Sequence, residues 1–259
     1  MCWEWQALVK PRFFRLQGGR PVTTLARSVN DASGLRSRIG MVHESIDRAA
    51  ARSGRGGGDV TLVAVVKTVP MAALREALAL GVTDLGENRV QEAEAHVEAL
   101  GRGSARWHMI GHLQRNKASR AVELFDRVHS VDGVEVARAL SRHAEAAGRT
   151  MRALIEVNVG GEASKFGVAP DGLEALLEQT RGLPGLAIDG LMTVAPFTER
   201  PEEARPHFAR LRALREAAVK SQALVLPELS MGMSADFEVA VEEGATMVRV
   251  GTALFGARS

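Results

Sequence analysis

The stretch TLVAVVKTVPMAALREALALGVTDLG (61–86) decides how the rest of the chain is read. Its first part, TLVAVV (61–66), is a short unbroken apolar run that stops at Lys67. MAALREALALG (71–81) repeats apolar residues at helical spacing, and VTDLG (82–86) is a second short run. A strand, a helix and a second strand in that order predict two parallel strands joined by a helical crossover.

The same alternation continues to the C-terminus. Further strands are predicted at RWHMIG (106–111), RVHSV (127–131), ALIEVNV (153–159), AIDGLM (187–192), LVLPELS (224–230) and MVRVG (247–251). Helical stretches lie between them at RVQEAEAHVEAL (89–100), VEVARALSRHAEAAG (134–148), DGLEALLEQT (171–180), EARPHFARLRALREAA (203–218) and ADFEVAVEEGA (235–245). Eight strands in roughly 200 residues predict an α/β fold, a single closed (β/α)8 TIM barrel. An open doubly wound sheet is the alternative. No G-x-G-x-x-G follows the first strand, which argues against a dinucleotide-binding version.

Upstream, a helix is predicted over about 31–52, with Leu35, Ile39, Val42, Ile46 and Ala49 on one face and Asp31 or Ser33 capping its start. GRGGG (54–58) links it to the first strand. The first thirty residues are basic, with Glu4 their only acid. They divide the chain into a flexible extension, 1–30, and a barrel domain, 31–259. A transit peptide would share that composition, but an apolar signal region and a clear cleavage site are missing.

Composition narrows the function. Hydrophobic residues make up 46% of the 259, enough for a large core, and the net charge is only +2. No basic block with interleaved aromatics suggests nucleic acid, and no apolar stretch approaches the ~20 residues that span a bilayer. Cys2 is the only cysteine, so neither an intrachain disulfide nor a cysteine metal site is expected. A reducing, cytoplasmic setting fits.

In such barrels the chemistry sits at the C-terminal ends of the strands. Lys67 is at one. An amine held there partly out of water has its lone pair available for a Schiff base. The plain alternative is a strand-end lysine reaching solvent. Phosphate sites in these barrels use the loops after the seventh and eighth strands. Here these are SMGMSADF (230–237) and RVGTALFG (249–256). Gly232 and Gly251 allow close backbone approach to an anion, and Ser230, Ser234 and Thr252 add hydroxyls. Ser234 could equally cap the helix at 235–245. Arg249, two residues before Gly251 on the same strand face, points toward the mouth, unless it pairs with Glu156 or Glu87.

These residues lie in segments that resemble the YggS/PROSC family of pyridoxal phosphate homeostasis proteins. The segments are VAVVKTVP (63–70), LGENRVQEA (85–93), WHMIGHLQRNK (107–117), VHSVD (128–132), LIEVNVGGEASKFG (154–167), GLMTVAP (190–196) and SMGMSADFEVAVEEGATMVRVGTALFG (230–256). The resemblance implies a barrel of PLP fold type III that binds pyridoxal 5′-phosphate as an internal aldimine on Lys67. It implies that Asn88 borders the cofactor ring and that Ser230, Gly232, Ser234, Gly251 and Thr252 surround the phosphate. Arg249 would face the pyridine nitrogen. The implied role is buffering or delivering the cofactor, with PLP-dependent apoenzymes as recipients, no catalytic or metal residues, and a monomer or weak homodimer. His112 and Arg115 depart from the family pattern, and residues 1–30 have no counterpart in it.

Two other functions compete with the carrier. One is a PLP-dependent racemase or decarboxylase. Racemases of this type set a tyrosine opposite the lysine and add a β domain, and decarboxylases use a cysteine near the cofactor. This chain has no tyrosine, and no room for a further domain is expected after residue 256. His108, His112 and His129 are the remaining candidate bases. The other is a Schiff-base aldolase without cofactor, which accounts for Lys67 but not for Arg249.

Overall fold

The structure is a computed structural model and describes residues 24–162 and 164–256. Eight parallel strands close into a barrel in sequence order, each neighbour pairing with the next and the last with the first. They are β1 (Thr61–Val65), β2 (Asp84–Glu87), β3 (Arg106–Met109), β4 (Arg127–Val131), β5 (Met151–Glu156), β6 (Leu186–Met192), β7 (Glu228–Ser230) and β8 (Met247–Val250). The helices are α1 (Thr24–Arg52), α2 (Met71–Ala79), α3 (Val90–Leu100), α4 (Ala118–Leu124), α5 (Val134–Ala146), α6 (Leu173–Thr180), α7 (Arg205–Gln222), α8 (Phe237–Glu242) and α9 (Thr252–Phe255). β1 and β8 close the barrel with Val63 level with Arg249.

Alternate side chains of each strand face opposite sides of the sheet, and this divides the interior into two cores. Outward residues such as Leu85, Trp107, Val128 and Val248 pack under the helices. Inside the barrel a small apolar cluster of Val63, Leu154, Met192 and Met247 stands apart from that layer. The rest of the interior is polar. Arg127 closes the lower end, held by Asp189 at 3.0 Å and Glu228 at 3.1 Å. Each of these charges has a partner, as burial requires.

α1 buries Leu35, Ile39, Val42, Ile46, Ala49 and Ala50 against α8 and α9. It runs back to Thr24, so Asp31 and Ser33 lie within the helix and neither caps its start. The expected extension over 1–30 therefore loses its last seven positions to α1, and residues 1–23 lie outside the described residues. β7 is shorter than the predicted 224–230. The chain leaves α7 through Ala223 in a left-handed conformation, φ 50°, and Pro227 has no N–H for the ladder. α8 starts at Phe237 with Asp236, not Ser234, before it. Two short helices, α4 and α9, were not predicted, since seven and four residues are too few to show a helical period.

Candidate functional site

Lys67 stands two residues past β1, half-buried. Among the described residues it has neither a hydrogen-bond partner nor an ion pair. A turn follows, closed by Val69 N–H donating to Val66 C=O at 3.0 Å. It places Thr68 at φ 62°. A β-branched residue in the left-handed region is strained, and such strain collects at functional sites. Asn88 occupies the matching place after β2. Val65 pairs with Gly86, so carrying the register two residues on sets Lys67 level with Asn88. Asn88 Oδ1 is buried with no hydrogen-bond partner.

The loops after β7 and β8 are tied together. Gly232 has φ 92°, and a Cβ there would fall 2.5 Å from Ala240 Cβ and 2.9 Å from Phe237 Cα. Only glycine fits. Its carbonyl accepts from Arg249 N–H at 3.0 Å. Ser234 Oγ accepts from the amides of Gly251 at 3.1 Å and Ala253 at 3.3 Å. With its lone pairs so occupied, the Ser234 hydroxyl has its proton left to donate. Thr252 is exposed, and neither its amide nor its hydroxyl is bonded within the described residues. Hydroxyl and amide donors thus gather on two adjoining loops, an arrangement that suits an anion.

Ser230 is placed differently from the other four residues expected around the phosphate. It is fully buried inside the barrel, where its Oγ accepts from Arg249 Nη1 at 2.5 Å and meets His129 Nδ1 at 2.9 Å. Arg249 Nη2 donates to Thr193 C=O at 2.8 Å. Arg249 therefore makes no carboxylate ion pair among the described residues; Glu87 pairs instead with His96 at 2.5 Å. Burial pushes the Arg249 guanidinium down to about 10, with Glu156 and Asp236 opposing the shift, so it stays a cation at neutral pH.

The histidines do not stand free as bases. His108 and His129 are buried in the barrel and bond to each other, and desolvation holds His129 well below its ordinary range, so it is neutral. His112 lies on the loop after β3, pairs with Asp132 at 3.1 Å and stacks on Phe166. Arg115 is far out on the surface, 3.9 Å from Glu135.

A group that the residue patterns did not single out for chemistry is Glu156, at the end of β5. Burial pushes its carboxyl up to about 7, with nearby Asp132 adding and Arg249 opposing. The signal was present in ALIEVNV, a charge closing an apolar strand just as Lys67 does.

Comparison with known proteins gives the family and the fold. The alanine racemase N-terminal domain family matches residues 42–259. A pyridoxal phosphate homeostasis protein of Aquifex aeolicus is 45% identical over 221 residues, covering 85% of this chain and 97% of its own. PipY of Synechococcus elongatus, solved without PLP, superposes with a TM-score of 0.77 at 40% identity, covering 86% of this chain and 100% of PipY. The same protein solved with PLP bound gives 0.75 at 39% identity, with coverage of 86% and 100%. The chain belongs to the alanine racemase N-terminal domain family and, within it, to the pyridoxal phosphate homeostasis proteins.

Proposed function

We propose that the barrel mouth binds pyridoxal 5′-phosphate and that the protein buffers or delivers this cofactor inside the cell, with PLP-dependent apoenzymes as recipients. The observation that carries the reading is the position of Lys67. It is a half-buried amine, without a partner among the described residues, at the same mouth as the Arg249 cation and the donors left on Ser234 and Thr252. Lys67 would hold the aldehyde carbon. Gly232, Ser234, Gly251 and Thr252 would hold the phosphate, Asn88 would flank the ring, and Arg249 would face its nitrogen. Ser230 serves by orienting Arg249. Bound there, the cofactor supplies an aldehyde that reacts reversibly with primary amines. The homeostasis relatives and the PLP-bound PipY structure support this reading over an aldolase without cofactor.

A fixed cation opposite the ring nitrogen disfavours protonation there, so the ring is a weak electron sink. That favours a carrier over a racemase or decarboxylase. One observation favours the enzyme: Glu156, with its carboxyl at about 7, is suited to accept or release a proton at neutral pH. Deuterium exchange at Cα of alanine in heavy water separates the two. The carrier predicts exchange far below ordinary turnover, roughly 1 s⁻¹. Exchange at that rate, lost in Glu156→Gln and in Lys67→Ala, would establish the enzyme. The barrel with α1 is proposed as the whole cofactor-binding unit, so a chain beginning at Thr24 should behave identically.

A further inference from the structure

Thr68 is one of two non-glycine residues with positive φ among the described residues, the other being Ala223. Ala223 follows the last turn of α7, where a left-handed residue ends the helix. Thr68 has no such role. Its turn runs from Val66 to Val69, and Lys67 is not among the residues of positive φ. The turn is therefore type II, with Lys67 and Thr68 at its two central positions. Thr68 holds the second, which calls for glycine or asparagine.

Nothing around Thr68 offsets the strain. Its side chain is exposed, and its hydroxyl, its N–H and the C=O of Lys67 are not hydrogen-bonded within the described residues. The flanking residues do not impose the strained form either. Val66 is buried and donates to Gly86 C=O at 3.0 Å. Pro70 precedes α2, and its C=O accepts from Ala73 N–H at 2.9 Å. These anchors hold only the ends of the turn. A relaxed type I turn keeps the same ends and the same bond from Val69 to Val66. It differs by turning over the single peptide between Lys67 and Thr68. The angles that change are ψ of Lys67 and φ of Thr68. Side-chain rotamers depend on backbone angles, so the flip changes the directions open to the Lys67 amine.

We propose that Thr68 is a positioning residue for Lys67, setting a turn with two positions: type I, which the threonine favours, and type II, which presents the Lys67 amine to the aldehyde of pyridoxal 5′-phosphate. The proposal rests on the cofactor reading given above. Binding draws the chain into the strained form, and the apparent affinity is reduced by the fraction of molecules not already in it.

The test is NMR of the full chain with and without pyridoxal 5′-phosphate, beside titration of affinity. A type II turn brings Hα of Lys67 against the amide proton of Thr68, and a type I turn brings the two amide protons together. Nuclear Overhauser effects tell them apart. The parent without cofactor should show both patterns, and the loaded parent type II alone. Glycine and asparagine both suit the left-handed position. Thr68→Gly and Thr68→Asn should show type II alone in both states and lower the dissociation constant about threefold or more. Thr68→Val keeps the branched carbon and loses the hydroxyl, so its affinity should match the parent's. Type II alone in the parent without cofactor, or unchanged affinity in the Gly and Asn variants, would overturn the proposal. So would weakened binding in Thr68→Val, which would make the hydroxyl a direct contact. Borohydride labelling of the loaded parent keeps the two readings apart. A label at Lys67 beside a single turn removes this proposal and leaves the cofactor reading. A missing label removes the cofactor reading, while the two turns and their collapse to one in the variants are read on protein without cofactor.

Discussion

His108 Nδ1 and His129 Nε2 meet at 2.9 Å inside the barrel, and this contact fixes which proton every neighbour can offer. On one side His108 Nε2 is 2.9 Å from Asp84 Oδ1, and Asp84 is held ionised, far below its ordinary value, by bonds from His108 and Arg106 that outweigh its burial. On the other side His129 Nδ1 meets Ser230, which accepts from Arg249. His129 is neutral and has one N–H. If that proton were on Nδ1, His108 would have to donate from both nitrogens and be a cation, in an interior that already holds Arg249 and Arg127. The favoured arrangement puts every proton toward Asp84: Arg249 to Ser230, Ser230 to His129, His129 to His108, and His108 to the carboxylate.

The first prediction is therefore a tautomer. ¹⁵N–¹H NMR should show His129 as the Nε2–H form, with no titration between pH 5 and 8. An Nδ1–H signal, or a protonation midpoint near 6.5, would contradict the chain.

Ser230 and Thr252 should separate in their effects. Ser230→Ala leaves Arg249 and His129 each short of a partner, at roughly 1–3 kcal/mol per unsatisfied buried group. It should lower stability and leave the preference for pyridoxal 5′-phosphate over pyridoxal unchanged. Thr252→Val should leave stability nearly unchanged and reduce that preference, since a hydrogen bond to a charged group contributes ~1.5–3 kcal/mol. Titration of both variants with both ligands, beside thermal denaturation, checks this. The reverse pattern would put Ser230 at the phosphate.

Two glycines in the same loops should tolerate alanine very differently. At Gly232 the added Cβ meets Ala240 at 2.5 Å with φ at 92°, combining left-handed strain with overlap. Together these cost about 2–5 kcal/mol. At Gly251 the nearest atom would be 3.4 Å away, an ordinary contact, and Gly251→Ala should stay within about 1 kcal/mol of the parent. Equal losses in urea denaturation would show that the turn at 230–234 is not rigid.

Glu156 gives a pH dependence of known sign. Its folded value, about 7, stands above the ordinary 4.5 because of burial. The folded protein then keeps a proton that the unfolded chain has released, so this stabilising contribution is present below about pH 4.5 and is lost as the pH rises through 7. His129, depressed by burial, acts oppositely: its contribution is lost as the pH falls below its ordinary value. Comparing Glu156→Gln with the parent cancels the histidine. The variant should gain stability relative to the parent on going from pH 5 to pH 8, by on the order of 2 kcal/mol. A difference independent of pH would mean that Glu156 is not desolvated.

The barrel was legible because each strand is a short apolar run and each crossover a helical period, signals that survive in a single sequence. All eight strands fall where those runs lie. What the sequence leaves open is local. Nothing in the residue types distinguishes Ser230 from Ser234. One lies on the last inward position of β7 and the other four residues along in the loop, and only the end of the strand at Ser230 separates them. In the sequence Glu156 stands only as an alternative partner for Arg249, beside Glu87, because its elevated proton affinity depends on how deeply the end of β5 is covered. The bond between His108 and His129 joins the neighbouring strands β3 and β4 on the inner face of the barrel, and it depends on a register that spacing along the chain does not show.

The central claim is that Lys67 carries the cofactor. The direct measurement is borohydride reduction of the protein loaded with pyridoxal 5′-phosphate, followed by mass spectrometry of the digested chain. The account predicts a phosphopyridoxyl adduct at one equivalent on the peptide containing Lys67, and no such stoichiometric label in Lys67→Ala. A stoichiometric adduct confined to Lys117, Lys165 or another lysine would contradict it.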